Sequence, residues 1–181
     1  KSRDSVGVRG IRLVGDDELI AMSILRHTDF DSDLRERYLR WSNARRRLEG
    51  DSEGNGGPLP SPPAEAKEMA SAEQFVLSIT ENGYGKRTSA YEYRVTGRGG
   101  QGIINIEASD RNGPVVASAP VEEDHHIMLV TDTGRLIRTP VHDIRIAGRN
   151  TQGVTLFDVE PNERVVSVAW LSEQGVAKTC T

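Results

Sequence analysis

Residues 75–103 recur as residues 126–154 at a constant offset of 51 with no gap, and a fixed internal period restricts a chain to repeat architectures. Identities pair Thr80 with Thr131, Gly83 with Gly134, Arg87 with Arg138, Thr88 with Thr139 and Arg94 with Arg145. They continue with Gly97 and Gly148, Arg98 and Arg149, Gln101 and Gln152, and Gly102 and Gly153. Within the unit, short runs rich in Val and Ile are bounded by Gly, Asn and Asp, the pattern of strands joined by hairpins. The spacing predicts strands at Ile103–Ala108, Val115–Ala119, Ile127–Thr131 and Leu136–Thr139. Asn112-Gly113 and Thr133-Gly134 supply turns, because glycine tolerates the positive φ of a tight hairpin.

Four strands in about 50 residues is the size of one blade of a radially repeated sheet. The fold class expected is all-β: a pinwheel or propeller-like repeat of four-stranded blades, about two and a half of them, with a helical and disordered insertion. Residues 1–26 with 74–96 form the expected first blade, 97–147 the second and 148–174 a partial third, followed by a tail at 175–181. Rings of this kind close with about four to eight blades, so sheet edges are expected to lack neighbours.

The insertion, 27–73, departs from the period. Asp33 followed by Glu36 resembles a capping box, and Leu34, Tyr38, Trp41 and Leu48 follow helical spacing to a stop at Gly50, which predicts a helix over about 33–49. Residues 50–63, rich in Gly, Pro and Ser, read as a mobile linker, and 64–73 as a short second helix. The whole insertion reads as an appendage on a blade loop.

Composition narrows the function classes. Charged residues make up 28%, and no apolar run approaches the roughly eighteen residues that a membrane span requires. The single cysteine, Cys180, forms no internal disulfide, so no membrane association and a cytoplasmic location are expected. Net charge is 23 − 27 = −4, but the acidic excess lies mostly in 27–74, so a basic face elsewhere remains open.

Three runs in order carry a resemblance: Gly7-Val8-Arg9-Gly10-Ile11-Arg12-Leu13, Glu81-Asn82-Gly83-Tyr84-Gly85-Lys86-Arg87-Thr88 and Gly148-Arg149-Asn150-Thr151-Gln152-Gly153-Val154. Together they resemble the later blades of the C-terminal domain of bacterial DNA gyrase A. The resemblance implies a six-bladed β-pinwheel that bends and wraps double-stranded DNA around a basic rim, supporting ATP-dependent negative supercoiling by a holoenzyme. Implied partners are the remainder of gyrase A and its companion chain, gyrase B. No cofactor is expected in this segment, since ATP and Mg act elsewhere in such an enzyme, and no catalytic or metal-binding residue is expected either. The family's box, Gln-Arg-Arg-Gly-Gly-Lys-Gly, is not present complete. Residues 96–102 match it at Arg98, Gly99, Gly100 and Gly102, and 147–153 at Arg149 and Gly153.

Wrapping calls for many phosphate contacts of modest strength, which arginine and lysine supply. The candidates are Arg9, Arg12, Lys86, Arg87, Arg94, Arg98, Arg135, Arg138, Arg145 and Arg149. Each is equally readable as a solvated strand residue or half of a surface ion pair. Other features read as structural. Asp132-Thr133-Gly134 is a turn, His125-His126 a strand entry, and Trp170 blade packing; Arg45-Arg46-Arg47 is a helix end or a contact with DNA or a partner. Alternatives for the whole chain are the equivalent domain of topoisomerase IV and a propeller-type protein-interaction scaffold.

Overall fold

Alternating apolar residues and glycine turns produce the same hairpin twice in the computed structural model, which describes residues 2–50, 58–172 and 177–179. Strand β1 (Phe75–Thr80) pairs antiparallel with β2 (Tyr84–Ser89), and a 3-10 turn follows at Ala90–Glu92. After β3 (Val115–Val121), the pattern returns as β4 (His126–Thr131), β5 (Leu136–Pro140) and a 3-10 turn at Val141–Asp143. β1 and its 3-10 turn map onto β4 and its own at the 51-residue offset. Both repeats carry the same shift in pairing register, at Ile79/Thr80 and at Val130/Thr131.

Two four-stranded sheets result. The first runs β3-β1-β2-β6, where β6 is Val154–Thr155; the second runs β5-β4-β7-β8, where β7 is Val165–Leu171 and β8 is Ala177–Thr179. Their apolar faces meet in one core centred on Leu77, Ile79, Ile127, Leu129 and Val165, with Trp170 packed at its margin. β6 follows β5 in the chain yet completes the first sheet, pairing Tyr84 with Thr155 and Gly85 with Val154. This return is possible because Gly153 has φ +82° and an added Cβ there would lie 2.7 Å from the Gly85 carbonyl oxygen.

The two sheets cut across the expected blade boundaries. Residues 97–147 divide between the sheets, β3 in the first and β4 with β5 in the second; 148–174 divide likewise as β6 and β7. Of the expected tail, 177–179 instead pair with β7 as β8, and the rest of it lies outside the described residues. Residues 2–26 form no strand of the first sheet. They run beside the 97–102 loop, with Ile11 bridging Gly100. The strand expected at Ile103–Ala108 is irregular chain, because Ile104 is exposed while Asn105 turns inward to hydrogen-bond Tyr93 and Ser78.

The insertion docks on the 3-10 turn that follows β2. Helix α1 (Ser32–Gly50) starts one residue before the expected capping box, since Asp31 Oδ1 accepts the Leu34 amide at 2.8 Å. With α2 (Ala66–Ala72) it builds a second core of Tyr38, Ala66, Met69 and Tyr91. Tyr91 comes from the 3-10 turn after β2; its ring meets Tyr38 edge-on at 5.6 Å, and its hydroxyl donates to the Met69 carbonyl. Glu73 then accepts from both Tyr38 and Arg46, at 2.8 and 2.7 Å. Of the linker expected over 50–63, residues 51–57 lie outside the described residues. No described helix is long and apolar enough to cross a membrane.

Candidate nucleic-acid interface

Position on the sheet edges separates the basic residues into those used inside the fold and those left outside. Lys86 is fully buried on β2. Its ammonium donates to the carbonyls of Gly148, Arg149 and Thr151 at 2.6, 2.8 and 3.1 Å, and to Thr151 Oγ1 at 3.1 Å. Burial pushes its pKa down to about 8, with Glu92 opposing the shift. Arg87 is 5% exposed: Nε donates to the Ile144 carbonyl at 2.6 Å, and the two terminal nitrogens reach Glu123 and the His142 carbonyl. Both candidates for phosphate contact are thus enclosed, with their donors directed at the 142–151 segment and Glu123.

Arg135 and Arg149 are intermediate cases. Arg135 is paired with Glu163 and lies over the Phe157 ring at 5.0 Å. Thr131 and Thr133 hydroxyls, the Glu160 amide and Arg135 converge on Glu163, lowering its pKa to about 2. Arg149 donates to the Ile104 carbonyl at 2.8 Å, while its own amide donates to Glu92 at 2.9 Å. Its Nε is buried without an acceptor.

Six candidates remain outside: Arg9, Arg12, Arg94, Arg98, Arg138 and Arg145 are exposed. Among the described residues none of the six pairs with a carboxylate. Two groupings emerge. The Gly99 amide donates to the Gly10 carbonyl, and the Arg12 amide to the Gly100 carbonyl, both at 2.8 Å, so Arg9, Arg12 and Arg98 share one strip. Arg94 and Arg149 line one cleft against α1. Arg145 lies on the segment alongside Arg87, and Arg138 on β5 opposite Met128, apart from both groups.

The cleft contains residues that sequence reading passed over. Arg35 and Arg40 of α1 line it, and with Ser32, Glu36, Leu39 and Asn43 they form one helical face. That i, i+3, i+4, i+7 row was visible in the sequence, but nothing local showed what it would face. Arg111 was also missed. It stacks on Tyr84 at 4.9 Å and donates to its hydroxyl, which lowers the Tyr84 pKa.

The remaining motifs have structural roles. Asp132 accepts the Arg164 amide at 3.0 Å across the 131–134 turn, and His125 Nδ1 accepts the Glu122 amide in the turn before β4. In the triple arginine, Arg46 is committed to Glu73, and Arg45 lies over Trp41 at 4.9 Å. Among the described residues, no three His, Cys, Asp or Glu side chains gather as a metal site.

Comparison with known proteins agrees with this architecture. A family model described as "DNA gyrase C-terminal domain, beta-propeller" matches residues 1–26, 74–122 and 125–169, passing over 27–73. The DNA gyrase A protein of Rickettsia bellii is 45% identical over 178 residues, covering 96% of this chain and 19% of that protein. Its counterpart in Granulibacter bethesdensis is 46% identical, covering 92% of this chain and likewise 19% of its own length. The chain thus spans about a fifth of these relatives. A solved gyrase A C-terminal domain superposes with TM-score 0.50 at 29% identity, over 53% of this chain and 33% of that one. A topoisomerase IV C-terminal domain shares the fold, with TM-score 0.52 at 23% identity over 56% and 32%. With its repeated hairpins, exchanged β6 strand and family match over both sheets, the chain belongs to the β-propeller family of DNA gyrase C-terminal domains.

Proposed function

We propose that this chain binds and wraps duplex DNA as a module of gyrase A, bending it along an arginine rim to support ATP-dependent negative supercoiling. In this reading the rest of gyrase A and the gyrase B chain are its partners, it works in the cytoplasm, and catalysis takes place elsewhere in the holoenzyme. The observation that carries it is the set of exposed arginines without carboxylate partners among the described residues. An arginine kept for folding is buried and bonded, as Arg87 is; an exposed unpaired guanidinium at a repeat position is available to phosphate. Arg9, Arg12, Arg94, Arg98 and Arg145 form the working rim. Arg138 contributes more weakly, because a further repeat at the same spacing would cover it as 142–147 covers Arg87.

The relatives at 45 and 46% identity are gyrase A proteins, whereas the likeness to topoisomerase IV is one of fold. The test is duplex DNA binding by this chain across a salt series, beside Arg98→Gln with Arg145→Gln. Each lost phosphate contact makes the slope of log K against log salt shallower by about 0.9, so the double variant flattens it by about two. An unchanged slope overturns the assignment of the rim, and salt-independent binding favours a protein-interaction scaffold.

A further inference from the structure

We infer that the insertion helix supplies a second set of phosphate contacts, so that one sugar-phosphate backbone of the duplex lies along the mouth of the cleft between α1 and the 148–151 loop. This rests on the DNA-binding reading above. The cleft between them has a volume of about 480 Å³. Arg35 and Arg40 stand on the helix side; Arg94 and Arg149 stand opposite. Four guanidinium groups thus meet two carboxylates, Glu36 and Glu92.

Neither carboxylate cancels the surplus. Glu92 is engaged by the Arg149 amide at 2.9 Å, with Arg149 Nε at 3.8 Å. Glu36 holds Arg40 at 2.8 Å in a pair whose side chains are both largely exposed, and such a pair yields readily to a competing anion.

Two features select a polymer backbone over a small anion. The far wall shares Arg94 with the rim, and its Arg149 is the 51-residue counterpart of the rim's Arg98. The helix is also held at a defined place: Tyr38 packs with Met69 of α2 and with Tyr91 of the 3-10 turn after β2, so its arginines stand in fixed register with Arg94. An insertion that the family match passes over thereby lengthens the contact surface.

The test adds Arg35→Gln with Arg40→Gln to the salt series, beside the Arg98→Gln with Arg145→Gln variant. Glutamine retains good helix propensity, and a circular dichroism melt checks that α1 persists. The expected result is a slope shallower by about two for the helix variant, in addition to the change in the rim variant. As a second readout, a photo-crosslinking residue at Asn43, which lines the cleft, should label duplex DNA. A helix variant with the parent slope and no crosslink, while the rim variant flattens, overturns the inference and leaves the DNA-binding reading standing. If neither variant changes the slope, both fall.

Discussion

Arg87 and Arg138 occupy the same position in successive repeats, 51 residues apart, yet Arg87 is buried against the Ile144 carbonyl while Arg138 is exposed on β5. The difference lies in the neighbour. The 144–147 segment runs beside β2, with the Ala147 amide donating to the Arg87 carbonyl, and among the described residues nothing equivalent lies beside β5.

Substitution at the two positions should therefore separate folding from surface effects. Arg87→Ala leaves the Ile144 and His142 carbonyls without their donors and costs about 1–3 kcal/mol. Arg138→Ala stays within about 0.5 kcal/mol, as exposed substitutions do. Urea unfolding of both variants checks this, and equal losses would contradict the contrast.

Lys86→Met should loosen one loop rather than the whole domain. Four oxygen atoms of residues 148, 149 and 151 lose a shared donor, so amide exchange across 148–152 accelerates while β4 keeps its protection. Hydrogen exchange resolved by residue reads this directly. Unchanged protection of the loop would show that Lys86 does not hold it.

Glu163 provides a pH dependence with a definite sign. Hydrogen bonds from Thr131 first, then Thr133 and the Glu160 amide, hold its pKa near 2, below the ordinary 4.5. A carboxylate with a depressed folded-state value contributes stability that is complete above the unfolded value and is lost as pH falls towards the folded one. The urea midpoint should thus decline between about pH 4.5 and 2, and Glu163→Gln should show a flatter decline over that window. Parallel curves would refute the assignment.

Met69→Ala tests the docking of the insertion. Met69 of α2 is fully buried in the core it shares with Tyr38 and Tyr91, and truncation of such a side chain costs about 2–5 kcal/mol. The loss should be expressed as faster exchange in α1, with β4 and β7 unaffected. Exchange that rises equally in every element would mean that the insertion and the sheets share one cooperative unit.

Gly83→Ala and Gly134→Ala should differ although both glycines have positive φ. A Cβ at Gly83 would lie 2.1 Å from the Phe157 carbonyl oxygen, whereas Gly134 faces open space. The Gly134 variant carries only the left-handed backbone cost of about 1–2 kcal/mol, and the Gly83 variant must also displace backbone. Thermal unfolding that ranks them equally would place no weight on the Phe157 contact.

Short-range features of this chain follow from its residue order alone. The 51-residue period, the hairpin turns, the strand runs at β3, β4 and β5 and both insertion helices were legible, because hydrophobic alternation and turn residues act over a few neighbours. The family was legible in the same short motifs. Long-range packing settled the remainder. Whether Lys86 meets a phosphate or a carbonyl depends on backbone 62 residues away, and whether 27–73 hangs free or docks depends on Tyr91 in another element. The return of β6 to the first sheet decides both which arginines are enclosed and where the blade boundaries fall. A basic side chain carries the same pattern in sequence whether it is buried or exposed; only the oxygen atoms brought beside it by distant chain determine whether its charge serves the fold or remains available to a partner.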